Sequence, residues 1–568
     1  MNERMEVLFG GHVGITDGKI VHIAKVPPKE SPAEIIDGTG MVLMPGLINC
    51  HTHLATTALR SLCDELSITE SLQQQLQKEA KMDSRIAKAA ATIAAAECLR
   101  FGITSVSDLY YYPDATAEVI AESGMKANLA LSSYRFIDAV EEFDFSRDEQ
   151  CAELRRVVEK WHGHDNGRIK CDAGIWAEYT SNHKLWEGLA AYAGENDLGF
   201  QLHLSQTADE AESCEDRTGL SQTELLSCHN VLTVPVTAAG CNALNEMDRK
   251  ILGKHRASAV VTPLADAKQG RPCAPITDCV RAGMNVALGT DGAMEAGNLD
   301  LFEVMRAAAM SVRAAKNDPA ALPSSAALMM ATVCGARAQG RAAECGMIKE
   351  GMDADLVLVD FSAPHLMPCH NVFTVPVTAA GCNALSDMDR KILGKRGATA
   401  VVTPLADAKQ GRPCAPITEC VKAGMNVALG TDGCLEAGNL DLFEVMRAAA
   451  MSVRAAKNNP AALPASAALM MATVCGARAQ GRAEECGMIK EGMDADLVLV
   501  DFSAPHLMPC HNVANSLVFS AKGGDVAMTM VRGRKLYMNG KFPTLDLNEA
   551  VRELMEYAMP KLFEEPKK

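Results

Sequence analysis

Residues 41–53 read MVLMPGLINCHTH, an apolar run that ends in two histidines two positions apart. Side chains alternate along a strand, so His51 and His53 point to the same side of it. An apolar strand that delivers two imidazoles together provides half of a metal site. That reading fixes where to look for the other half, at the ends of further strands.

Working outward, seven more short apolar runs follow: ITSVSDLY from Ile103, KANLALSSY from Lys126, IKCDAGIW from Ile169, GFQLHLS from Gly199, VPVTAAGC from Val234, ASAVVTPL from Ala257 and MNVALGTDG from Met284. Between them lie Ala-rich amphipathic stretches such as RIAKAAATIAAAECLR, suited to crossover helices on a parallel sheet. Eight such units imply an α/β fold, a closed (β/α)8 TIM barrel whose functional side chains leave the carboxyl ends of its strands. His53, Trp176, His203, Gly240 and Asp291 all fall at such ends. Short strands with Gly and Asp turns at both termini predict one small composite β-sandwich.

CHNV begins at Cys228, Cys369 and Cys510, each 141 positions after the last. The two intervening segments agree at roughly nine positions in ten, far closer than units of a solenoid. We read a recent tandem duplication of part of the barrel. The expected organisation is 1–44 as the N-terminal part of the sandwich, 45–345 as the barrel and 346–372 as the sandwich strands of the first copy. Residues 373–485 are then a duplicated barrel segment, and 486–568 the C-terminal sandwich strands with a terminal helix. Only one copy can supply strands six to eight. The first is reached by the shorter connection and is made earlier, so it is expected to close the barrel.

The 568 residues carry a formal charge of −16 and are 48% hydrophobic. A surface that acidic argues against nucleic acid or an anionic membrane as partner, and leaves a small-molecule substrate. No apolar run approaches a transmembrane helix of about 18 residues, and no signal peptide opens the chain, so a cytoplasmic location is expected. The 20 cysteines are scattered and form no CxxC pair, which reads as free thiols. A homo-oligomer is compatible with all of this.

PGLINCHTH, GITSVSDLYY, GIWAEYTSN, LHLSQT, ALGTDG and IKEGMDADLVLVD together resemble the amidohydrolase superfamily, closest to the 5′-methylthioadenosine/S-adenosylhomocysteine deaminases and the related guanine and cytosine deaminases. The resemblance implies one divalent metal ion, zinc first with iron or manganese as alternatives. Its ligands would be His51, His53, His203 and Asp291, or Asp432 from the second copy. Such an ion lowers the pKa of a bound water so that hydroxide attacks a ring carbon. The resemblance also assigns Glu79 and Trp176 to substrate binding, and it makes Asp291 and the position of Gln206 catalytic.

At the proton-handling positions the chain departs from that pattern. Where the family carries a glutamate three residues after the strand-five histidine, this chain has Gln206. The strand-six histidine is replaced by Gly240, and by Gly381 in the second copy; the strand-four histidine is replaced by Trp176. Asp209 and Glu210 lie a helical turn further and are expected to face elsewhere. Two readings follow. One is a metal-dependent aminohydrolase with weak or altered deaminase-like activity on an adenosine-type or other heteroaromatic substrate. The other is a catalytically degenerate pseudoenzyme that still binds metal or nucleoside.

Overall fold

The computed structural model describes residues 5–29, 31–62, 64, 66, 68–133, 143–361, 382–383, 386–387, 390–391, 399–480 and 482–559. Eight parallel strands follow one another around a nearly closed barrel: β1 Leu47–Thr52, β2 Ile103–Tyr110, β3 Lys126–Leu131, β4 Ile169–Ala177, β5 Phe200–Leu204, β6 Val236–Gly240, β7 Ser258–Val261 and β8 Asn285–Leu288. These are the eight segments expected from their apolar runs, and β1, β3 and β5 are buried along their whole length, as parallel strands covered by helices must be. The seam between β8 and β1 is joined by side chain and backbone together. Asn49 Oδ1 accepts from the Thr290 amide at 3.0 Å, and its Nδ2 donates to Thr290 Oγ1 at 2.8 Å.

β6, β7 and β8 all belong to the first copy of the repeat. The second copy forms a separate parallel pair, Thr399–Val402 with Asn426–Leu429, flanked by its own helices.

Strands from the two termini do not share one sheet. Met41–Pro45 pairs antiparallel with Leu356–Asp360 at the end of the first copy. The C-terminal strand Val526–Val531 pairs instead with Leu497–Val500 at the end of the second copy, and on its other side with Arg534–Met538. The repeat accounts for the division. The segment DADLVLVD occurs twice, so each terminus finds its own copy of the strand it pairs with. Among the described residues the cysteines form no disulfide, and no helix is long and apolar enough to cross a membrane.

Candidate metal centre

His51 and His53 stand at the end of β1, His203 in β5 and Asp291 three residues beyond β8. Their ligand atoms all lie within 4.8 Å of one another, and all four residues are buried. His51 Nε2 is 3.0 Å from His203 Nε2, and His53 Nε2 is 3.4 Å from Asp291 Oδ1. The outer ring nitrogens are held by backbone: His53 Nδ1 donates to the Leu109 carbonyl at 2.7 Å and His203 Nδ1 to the Trp176 carbonyl at 2.8 Å. Those bonds fix the tautomer and leave both Nε2 lone pairs facing the centre, as metal ligands require.

Tight backbone approach makes the cluster possible. A β-carbon on Gly289 would stand 2.8 Å from both Cβ and O of His51, so β8 can leave the barrel directly against β1 only without one. Asp291 then adopts a left-handed φ of 64° and donates its amide to the His51 carbonyl at 3.1 Å, which turns its carboxylate back over the histidines. A non-glycine residue held there costs about 1–3 kcal/mol and marks sites where position matters more than relaxation.

Burial, reinforced by the neighbouring imidazoles, lowers the pKa of His51 well below its ordinary value and that of His203 to about 3. The imidazoles of His51 and His203 are therefore neutral, the form that offers a lone pair. Trp176 stacks on His53 with ring centroids 4.8 Å apart and covers the cluster on one side.

A cleft of about 870 Å³, counting its solvent-open mouth, leads to the cluster. His53, His203, Asp291, Trp176 and Gln206 line it, which brings most of the expected site residues together. Glu79 does not line it. Its Oε1 accepts from Tyr110 Oη at 2.6 Å and from Gln75 Nε2 at 2.9 Å, and Gln75, one turn earlier on the helix Ile68–Glu79, faces the cleft instead.

Asp432 is not part of the cluster. It sits half-buried after the second copy's own strand, its Oδ1 accepting from the Gly433 amide at 3.0 Å. A barrel has one position for an eighth strand, and β8 holds it. Lys170 pairs with Glu344 at 2.6 Å, and His255 Nδ1 donates to the Leu232 carbonyl at 2.9 Å; neither lines the cleft.

Several cleft residues carry no motif. Glu210 was expected to face away; it lines the cleft, its Oε2 accepting from the Gln206 amide at 3.1 Å, and burial raises its pKa. It occupies the first turn of the helix Ala208–Thr218, and the bond back to Gln206 turns the side chain towards the barrel mouth. Arg271 is buried beside the cluster, with Nε 3.0 Å from Asp266 Oδ1 and Nη2 3.7 Å from Asp291 Oδ2. Burial, with the Asp291 charge adding to it, raises the Glu295 pKa to about 8. For Glu210 the position on the helix following β5 was a usable signal; for Arg271 and Glu295 only the folded contacts reveal the role.

The amidohydrolase family matches residues 42–384 and again 365–536. A 5′-deoxyadenosine deaminase from Methanosarcina mazei is 36% identical over 372 residues, 65% of this chain and 84% of the relative. A 5-methylthioadenosine/S-adenosylhomocysteine deaminase from Pelotomaculum thermopropionicum is 34% identical over 374 residues, with the same shares covered. The crystal structure of an adenosine deaminase from Xanthomonas campestris with bound zinc superposes with a TM-score of 0.61 at 30% identity, covering 65% of this chain and 84% of that one. With the family matched across most of its length and its four-residue cluster at the mouth of an eight-stranded barrel, the chain belongs to the amidohydrolase family.

Proposed function

We propose that the protein is a metal-dependent aminohydrolase that removes an amino group from an adenosine-type or other heteroaromatic small molecule. The observation that carries the reading is the convergence of His51, His53, His203 and Asp291 with both histidine tautomers fixed by backbone carbonyls. His51, His53, His203 and Asp291, three imidazoles and one carboxylate, fit a zinc-like ion, which when bound would supply a hydroxide near neutral pH. The zinc in the Xanthomonas campestris relative supports zinc as the ion.

The chain's own residues then divide the work. Trp176, stacked on His53, offers a flat apolar face against which a purine-like ring can lie. Glu210 takes up proton transfer in place of Gln206. Its carboxyl is held next to Gln206 and raised by burial, which keeps a proton on it at higher pH than an exposed glutamate would. Arg271, paired with Asp266, lies against the outer oxygen of Asp291 and helps to orient that carboxylate.

A second reading, binding of metal or nucleoside without turnover, is favoured by Gln206 and Gly240 themselves. Ammonia release from 5′-deoxyadenosine, methylthioadenosine, S-adenosylhomocysteine and adenosine, measured on zinc-loaded protein, separates the two. Release that disappears in Glu210→Gln supports the aminohydrolase; no release from any of them, with tight binding of the same compounds, supports the second reading.

A further inference from the structure

The helices Leu301–Lys316 and Leu442–Lys457 have one and the same sequence, LFEVMRAAAMSVRAAK, one in each copy of the repeat. They meet reciprocally. Arg447 Nη1 donates to Glu303 Oε1 at 2.5 Å in a pair that is almost fully buried. The same pair with the copies exchanged, Arg306 with Glu444, is also formed.

The surrounding contacts repeat the exchange. A β-carbon on Gly270 of the first copy would stand 2.9 Å from the Asn459 amide nitrogen of the second; one on Gly411, its counterpart, would stand 3.1 Å from that of Asp318. Helix Pro263–Lys268 packs on Leu442–Lys457, and Pro404–Lys409 packs on Leu301–Lys316. An interface in which contacts between residue i and residue j are matched by contacts between j and i is isologous, the arrangement of a two-fold dimer, and the helix pairs above follow that pattern. Here both halves lie on one chain.

That interface reaches the cleft. Arg454 Nη1 donates to the carbonyls of Asp64 at 2.9 Å and Lys268 at 3.2 Å, two residues that line the cleft, and Pro460 forms part of its wall. The counterpart of Asn459–Pro460 in the first copy is Asp318–Pro319.

We propose that the second copy acts as a built-in second protomer. It fills the face through which a chain with a single copy would pair with itself, and it gives the cleft a wall that in such a pair would come from the partner. The inference rests on packing alone and holds whatever reaction the cleft performs. It follows that the chain has no free surface of this kind with which to pair through these helices.

Light scattering on the full chain, joined to hydrogen exchange, tests it. The expected mass is that of one chain, 60.5 kDa. Glu303→Arg, which places like charges against each other, should speed exchange about tenfold or more in both helices at once, because both lose the same contact. Adding Arg447→Glu should restore protection in both. Arg306→Glu with Glu444→Arg, at the more exposed pair, is the milder form of the same exchange should Glu303→Arg prevent folding. Faster exchange confined to the substituted helix, or a two-chain mass that falls to one chain in Arg306→Glu, would overturn the proposal.

Discussion

A β-carbon on Gly240 would stand 2.4 Å from Cγ of Gln206. The departures at Gln206 and Gly240 therefore share one space. The Gln206 side chain lies where a side chain at the end of β6 would have to start, and Gly240, at φ 91°, holds a conformation that side chains resist. A histidine cannot be returned to position 240 without moving Gln206 and the backbone together.

Gly240→Ala should therefore destabilise the protein by roughly 1–3 kcal/mol, from the strained φ and the clash. Part of that loss should vanish when Gln206→Ala is already present, since the colliding atom is gone. Urea unfolding of both single variants and the double variant measures the coupling. Penalties that simply add would show that the two residues do not share the space.

Glu210→Gln keeps the shape and removes the exchangeable proton. On the proposed mechanism it lowers turnover by about 10²–10⁴-fold while bound metal stays the same. Because burial raises the Glu210 pKa, the acid form persists to higher pH and the rate should fall as pH rises through that pKa. That limb of the profile should be missing in whatever activity the variant retains. An unchanged rate and profile would remove Glu210 from the mechanism.

Lys268 and Lys409 occupy equivalent positions in the two copies and meet different fates. Lys268 pairs with Asp64 at 2.5 Å and donates to the Met294 carbonyl at 2.6 Å. The repeat does not include Asp64, and Lys409 Nζ is buried with no hydrogen-bond partner among the described residues. Burial, then the charges of Arg306 and Arg313, push its pKa down to about 6. The unfolded chain keeps that proton up to about pH 10.4, so between there and pH 6 the unfolded state binds more protons and stability rises with pH. Lys409→Met should therefore stabilise, by about 1–3 kcal/mol for an unpaired buried polar group. Its advantage should be largest near pH 6 and shrink towards pH 10. Thermal unfolding across that range checks the sign; Lys268→Met should destabilise instead.

The barrel was legible because its strands are apolar along their length and end in chemically distinctive residues such as His53, His203 and Asp291. GTDG stands in both copies, so the choice of aspartate rests on chain connectivity: the shorter connection favours the first copy, and Asp291 of that copy joins the histidines where Asn49 and Thr290 close the barrel. The strands of the two termini lie in separate small sheets for the same reason: a repeated strand offers each terminus its own partner. Arg271 and Glu295 were illegible in a different way. Their roles come from side chains that converge after folding, and no local pattern distinguishes them from ordinary surface charges.

The central claim is that one ion is held by His51, His53, His203 and the aspartate of the first copy. Metal analysis of purified wild-type protein, Asp291→Ala and Asp432→Ala tests it most directly. The account predicts one divalent ion per chain in the wild type and in Asp432→Ala, with Asp291→Ala losing most of it. Loss of the ion in Asp432→Ala with retention in Asp291→Ala would contradict it.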